Sequence, residues 1–227
     1  MTRPVKLSAA DHAIVGEAVA RAEEGTDGEI VTIVSQRSDQ YHDVGLHYAL
    51  AATLLVVALA VVNPVALEAK LDWSSNGWGA ETDLRSLLFW VLIAQTVVFL
   101  IVRYALAWMP LRMALTPKAT RARRVRRRAI QYFKVGAERR TEARVGILLY
   151  LSLDERMAEI VADEAIHHAV PAERWGDAMA ALVDEVRVGR PAHGMAAAVA
   201  QIGAILSENF PKTETDRNEL PDRLIEL

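Results

Sequence analysis

The chain of 227 residues contains no cysteine. That absence excludes a disulfide framework, a thiolate metal site and a cysteine nucleophile, and it leaves the redox compartment open. Aromatic residues are scarce at 6% while hydrophobic residues reach 52%, so the apolar content is mostly small and aliphatic. A wholly soluble protein with 24% charged residues carries less. The N-terminal stretch MTRPVKLSAADHAIVGEAVARAEEG lacks the apolar core of a secretory signal. It runs into an amphipathic pattern with Asp11, Glu17, Glu23 and Glu24, and the start of the chain reads as cytoplasmic. No G-x-S-x-G elbow occurs, and GRPAHG (189–194) continues with Met195 and Ala196 where a phosphate loop needs Lys and Ser/Thr. It reads instead as a helix-to-helix turn, with Gly189 closing one helix and Pro191 opening the next.

The apolar excess sits in two runs. LHYALAATLLVVALAVV (46–62) and SLLFWVLIAQTVVFLIV (86–102) hold seventeen uncharged residues each. With their flanks, about 44–67 and 84–109, each reaches the roughly 20 residues that cross a hydrocarbon core. Two buried core helices of this kind would need a larger soluble shell than the chain provides. Trp90, Trp108, Tyr48 and Tyr104 lie near the run ends, where aromatic belts form. Gln95, the strongly polar side chain near the centre of the second run, reads as an inter-helix hydrogen-bond donor. No Asp, Glu, Lys or Arg lies inside either run, and His47 sits at the end of the first, which disfavours a pump or transporter.

Charge orients this hairpin. From Arg103 to Arg128 there are nine cations and no anion, whereas the connector from Asn63 to Arg85 has four acids and two bases. The positive-inside rule then puts both termini in the cytoplasm and the connector outside. The basic segment 118–128 is also expected to meet anionic lipid, at about 1 kcal/mol per cation near the surface. The same segment could serve nucleic acid, but its only aromatic neighbours are Tyr132 and Phe133 and it matches no groove-reading motif, so no nucleic-acid partner is expected.

The rest reads as one folded body on both sides of the hairpin: residues 1–43 before it, the spans within 44–109, then 110–210, with a polar tail at 211–227. Ser8 and Asp11 have capping-box spacing ahead of a helix at about 8–24. Ile30 to Val34 is an apolar, β-branched strand. A basic helix follows the hairpin over 116–137, VGILLYLS (145–152) reads as a central strand, and MAEIVA (157–162) as its hairpin partner after the turn LDER. Two apolar stripes, Trp175–Met179–Leu182–Val183–Val186 and Ala198–Val199–Ile202–Ile205–Leu206, mark two further helices. The tail, with two prolines, is expected to be ordered only in part. Helices around a short sheet give an α/β (α+β) sandwich. If one sheet takes strands from both sides of the insertion, the number of spans must be even. Residues 129–227 hold seventeen acids and eleven bases, so this body is acidic and the basic helix separates it from anionic lipid.

Several residues are candidates for chemistry. Asp163 with His167, and Glu164 with His168, are spaced four apart on an expected helix, and each pair could face one metal ion. Two ligands are too few for a tight site, and a capped, solvated helix start accounts for the same residues. Glu29, at the start of the first strand, and Asp154, Glu155 and Arg156 in the hairpin turn could meet at one sheet edge. Carboxylates there would suit calcium or magnesium, and Arg156 could clamp a phosphate, although turn residues are polar for simpler reasons. Ser35 and Ser152 end strands and read as structural.

Taken together, TDGEIVTIVSQRSDQYHDV, two spans, FKVGAERRTEARVGILLYLSLDERMAEIVADEAIHHAV, a tryptophan helix, GRPAHGMAAAVAQIGAILSENFP and NELPDRLIEL resemble the bacterial membrane proteins with a TPM domain, a family also called TPM phosphatase after a thylakoid acid phosphatase. The resemblance covers nearly the whole chain, and the run from RVGILLYLSL through ADEAI is its most specific part. It implies a small α/β sandwich of the TPM-domain type interrupted by a transmembrane hairpin, in the bacterial inner membrane. It also implies a calcium-binding or weak phosphoester-hydrolysing role in some relatives. The chain departs from many secreted relatives at Asp163-Glu164-Ala165, where they place glycines, so a loop-based site does not transfer directly. The expectation is an interaction or scaffolding module with an unidentified protein partner. The alternative is a weak metal-dependent phosphohydrolase, with Arg156 and Asp163 as catalytic groups and Asp163, Glu164, Glu29 and Asp154 as metal ligands.

Overall fold

The computed structural model of the chain describes residues 6–65, 84–136, 145–171, 173–213 and 223–227. Its elements, in order, are α1 (Ala9–Glu23), β1 (Glu29–Ser35), α2 (His42–Val62), α3 (Leu84–Ala105), α4 (Met109–Leu115), α5 (Lys118–Gly136), β2 (Gly146–Ser152), β3 (Met157–Ala162), α6 (Glu164–Ala169), α7 (Arg174–Arg187), α8 (Pro191–Asn209) and β4 (Leu224–Glu226). They form two compact units, Met1–Asp39 with Lys118–Leu227, and Gln40–Pro117.

The first unit is a sheet of order β3-β2-β1-β4, in which β1 pairs parallel with β2 and with β4, while β3 is antiparallel to β2. Side-chain alternation sorts the central strands into two cores. Ile30, Val34, Ile147, Leu149 and Leu151 pack with Val15 and Val19 of α1, Leu182 of α7 and Met195, Val199, Ile202 and Leu206 of α8. Ile33, Leu148 and Tyr150 point the other way, onto Val125, Ala129 and Phe133 of α5. Covering both faces explains why β2 is apolar at nearly every position and buried at all seven. The basic helix is thus also a structural one, since a single stripe at i, i+4, i+8 enters the core. The α1 capping box forms as the spacing requires, with Asp11 N–H donating to Ser8 Oγ at 3.1 Å and Ser8 N–H to Asp11 Oδ2 at 2.8 Å. Gly189, at φ 81°, follows α7, and Pro191 opens α8. Gly203 lets α8 cross α1 closely, because a Cβ there would lie 2.6 Å from that of Ala22.

The polar tail holds a strand that its composition does not announce. It ends in β4, whose three residues pair with Thr32–Val34 and bury Leu224. An open edge of β1 supplies the backbone partners, so little local propensity is needed.

In the second unit α2 and α3 pack against each other. α2 runs over 42–62 where a span is expected at about 44–67, of which 66 and 67 lie outside the described residues, and α3 over 84–105 where one is expected at about 84–109. α2 stops at Val62 because Pro64 disfavours the helical conformation at Asn63. α3 stops at Ala105, and Pro110 starts a new short helix, α4. Arg112 of α4 is buried and joins the two spans at one end. Its Nε donates to the Leu106 carbonyl at 2.7 Å and its Nη1 to the Gln40 carbonyl at 2.6 Å. At Leu106 it thereby serves a carbonyl just past α3 with a positive charge, the sign that a helix C-terminus favours.

Candidate functional site

Parallel β1 and β2 end together at Ser35 and Ser152, and open α/β sheets bind ligands at such carboxyl ends. In this chain the position is filled by its own polar side chains. The turn after β2, residues 153–156, folds over the end of β1, with Leu153 N–H donating to Ser35 O at 3.0 Å and Asp154 N–H to Gln36 O at 2.9 Å. Glu155, 2% exposed, accepts from Ser38 N–H at 2.9 Å and from the Ser152 hydroxyl. The Ser38 and Tyr150 hydroxyls bond each other at 3.0 Å. Burial pushes the Tyr150 phenol above its ordinary 10.0, a rise opposed by hydrogen bonds with Ser38 and Ser35. Asp154 accepts from the Gln36 side chain and pairs with Arg37 at 3.3 Å. Two α5 cations complete the cluster: Arg124 pairs with Asp39 at 2.8 Å, and Arg128 donates to the Ser38 carbonyl at 3.0 Å while stacking over Tyr132 at 5.8 Å. Residues 35–39, the last before the insertion, are therefore held on all sides.

The other candidates lie elsewhere. Glu29 aligns with Gly146 at the opposite end of the sheet, buried, and Asp163 flanks Gly146 from the β3 side. Six residue steps along β2 separate that end from Asp154 and Arg156, about 20 Å at the rise of a strand. The expected meeting of Glu29 with Asp154, Glu155 and Arg156 at one edge is thus not what the sheet builds. Parallel pairing of β1 with β2 puts the start of one and the turn after the other at opposite ends.

Asp163 precedes α6 instead of lying within it. Its carboxylate turns back to accept the Gly146 N–H at 2.8 Å, so it neither faces an ion with His167 nor stands as a solvated cap. Glu164 does meet His168, at 3.5 Å, but the pair is exposed, with side chains 90% and 75% accessible. Arg156 is exposed, at φ 53°, as the last residue of the turn. Calcium takes six to eight oxygens on one centre. Glu29, Asp154, Asp163 and Glu164 do not converge, and no group of three His, Asp or Glu suited to a metal occurs among the described residues. Arg156 and Asp163, at the two ends of the sheet, likewise cannot grip one phosphate. Ser35 and Ser152 are structural as read, Ser35 donating to Arg37 O at 2.9 Å.

Residues 109–205 match the TPM domain family. The chain carries a TPM domain. The match contains α4, α5, β2, β3, α6, α7 and most of α8; α1, β1 and β4, which complete the sheet and its cover, lie outside it. A solved structure with a similar fold is the NMR structure of the BA42 protein from the psychrophilic bacterium Bizionia argentinensis. It is 16% identical with a TM-score of 0.56, covering 100% of both chains. At that identity the likeness concerns the fold alone. No curated protein matches the chain.

Proposed function

We propose that the chain is a two-span integral protein of the bacterial inner membrane that holds its TPM domain on the cytoplasmic side as an interaction or scaffolding module. The exposure of the two long helices carries this reading. α2 and α3, of 21 and 22 residues with mean hydropathies of 2.2 and 2.1, bury 17% and 0% of their most apolar stretches. Their length, about 32 Å at 1.5 Å per residue, suits a hydrocarbon core. Contiguous apolar surface of this extent does not stay in water. The acidic connector and the nine cations from Arg103 to Arg128 supply the orientation. Within the TPM domain, the Arg124–Asp39 and Arg128–Ser38 contacts tie the last residues before the insertion to the helix that begins right after it. An even number of crossings follows from that tether.

The cations of α5 divide into two groups. Arg124 and Arg128 serve the fold and Arg121 is half-buried, while Lys118, Arg123, Arg126, Arg127 and Lys134 are exposed. The exposed stripe is the part that would contact anionic lipid. Favouring an interaction role over hydrolysis, the carboxyl end of the sheet is occupied by Glu155, Ser38, Tyr150 and Ser152 bonded to one another.

Alkaline washing of membranes tests the anchoring. The full chain should stay with the bilayer, and release into the wash overturns the reading. A reporter after Leu227 should be active in the cytoplasm and one near Gly77 outside. Divalent-dependent phosphate release from a generic ester by the purified chain would overturn the interaction role.

A further inference from the structure

We propose that the chain pairs with a second copy of itself, in the membrane, through the α3 face that carries Gln95. The proposal rests on the two-span reading above. Gln95 is near the middle of α3, about 16 Å from either end at 1.5 Å per residue, which is the midplane of a core about 30 Å thick. It is partly buried, at the border between Leu87, Val91, Val98 and Val102, which are partly buried at helical spacing, and the exposed Leu88 and Leu92. The threonines inside the spans close on their own helices: Thr53 Oγ1 donates to Ala49 O at 2.8 Å and Thr96 Oγ1 to Leu92 O at 2.9 Å. The Gln95 carboxamide makes no hydrogen bond among the described residues, which include the whole of α2 and α3. At this depth neither lipid tails nor bulk water can serve it.

A second copy can. Two copies inserted with the same topology are related by a two-fold axis along the membrane normal, so residues at the pairing face meet their equivalents at equal depth. A carboxamide is both donor and acceptor, so two facing Gln95 side chains exchange two hydrogen bonds, each Nε2–H to the other's Oε1. Leu88 and Leu92, both 58% exposed, lie within about 60° of Gln95 around α3 and supply apolar contact. Val97 lies about 160° away on the same count.

The absence of cysteine makes the test clean. Leu92→Cys and Val97→Cys are introduced separately in the full chain and oxidised in native membranes. Disulfide-linked dimer is expected for Leu92→Cys and little for Val97→Cys. Adding Gln95→Leu to Leu92→Cys should weaken dimerisation roughly ten-fold, and Gln95→Asn, which keeps the amide, should weaken it less. A monomeric Leu92→Cys chain that resists alkaline washing overturns the pairing alone. So does linkage undiminished by Gln95→Leu, or linkage to a different protein instead. Loss of the chain from washed membranes overturns the two-span reading itself.

Discussion

β2 and α3 are both strongly apolar, yet all seven residues of β2 are buried and none of α3 is. Hydropathy reports that a segment avoids water without saying what receives it. For β2 the receiver is protein on both faces: α5 on one side, α1, α7 and α8 on the other. For α3 the protein contact is α2, in which Gly45 and Ala49 are buried and Gly45 lies against Leu106 just past α3, while Leu88, Phe89, Leu92 and Ile101 are exposed. Small residues at such a seam let helices approach where lipid, and not a protein core, covers the rest.

The widest test of that contrast compares two leucines. Leu149 is fully buried in β2, and Leu149→Ala should cost about 3 kcal/mol through lost transfer energy and the cavity left behind. Leu100→Ala, on the exposed side of α3 away from Gln95, should cost less than about 1 kcal/mol, because micelle or lipid refills the space. Thermal unfolding of the detergent-solubilised chain measures both. Equal costs would mean that α3 is a core helix.

The second test is at the carboxyl end of the sheet. Glu155→Ala leaves the Ser38 N–H and the Ser152 hydroxyl buried without their acceptor, and about 2–3 kcal/mol should be lost. Glu155→Gln keeps one acceptor oxygen and should recover part of it. No loss in either variant would mean that water reaches this cluster and that it is a site instead of a lock.

How much of this was readable from the chain divides along the same line. Periodicity and composition carry local information, so α1 with its capping box, β2, β3, the two long helices and the Gly189–Pro191 turn follow from neighbouring residues. Glu155 looked like an ordinary polar turn residue, since nothing near LDER shows that it meets Ser38, 117 positions earlier. The candidate metal ligands lie apart for a related reason: whether Glu29 and Asp154 share an end depends on parallel pairing across an insertion. β4 was unreadable because its strand character comes from the open edge of β1. The TPM resemblance was legible because the run through β2, β3 and the start of α6 is contiguous.

A smaller effect is expected where the two spans are joined. Arg112→Lys keeps the charge but loses the planar fork that reaches Leu106 O and Gln40 O together. About 1–2 kcal/mol of hairpin stability should go, read as earlier unfolding of the helical signal in micelles. An unchanged transition would assign the joining of the spans to apolar contacts among Tyr41, Val44 and Met113.

The smallest effect has a sign fixed by linkage. Burial raises the Glu159 carboxyl above its ordinary 4.5, and Arg126, 3.9 Å away, partly offsets this. A raised value means that the folded state holds the proton more tightly than the unfolded one. The contribution is therefore complete below about pH 4.5 and is lost as pH climbs through the folded value. At neutral pH the ionised group on edge strand β3 opposes folding, a cost such strands accept because an inward charge discourages pairing with foreign strands. Glu159→Gln should then stabilise the TPM domain at pH 7 by less than about 0.5 kcal/mol, with the gain disappearing toward pH 4. Denaturant titrations of both proteins at the two pH values measure it, and a Gln variant less stable at pH 7 would show that the Arg126 attraction outweighs burial.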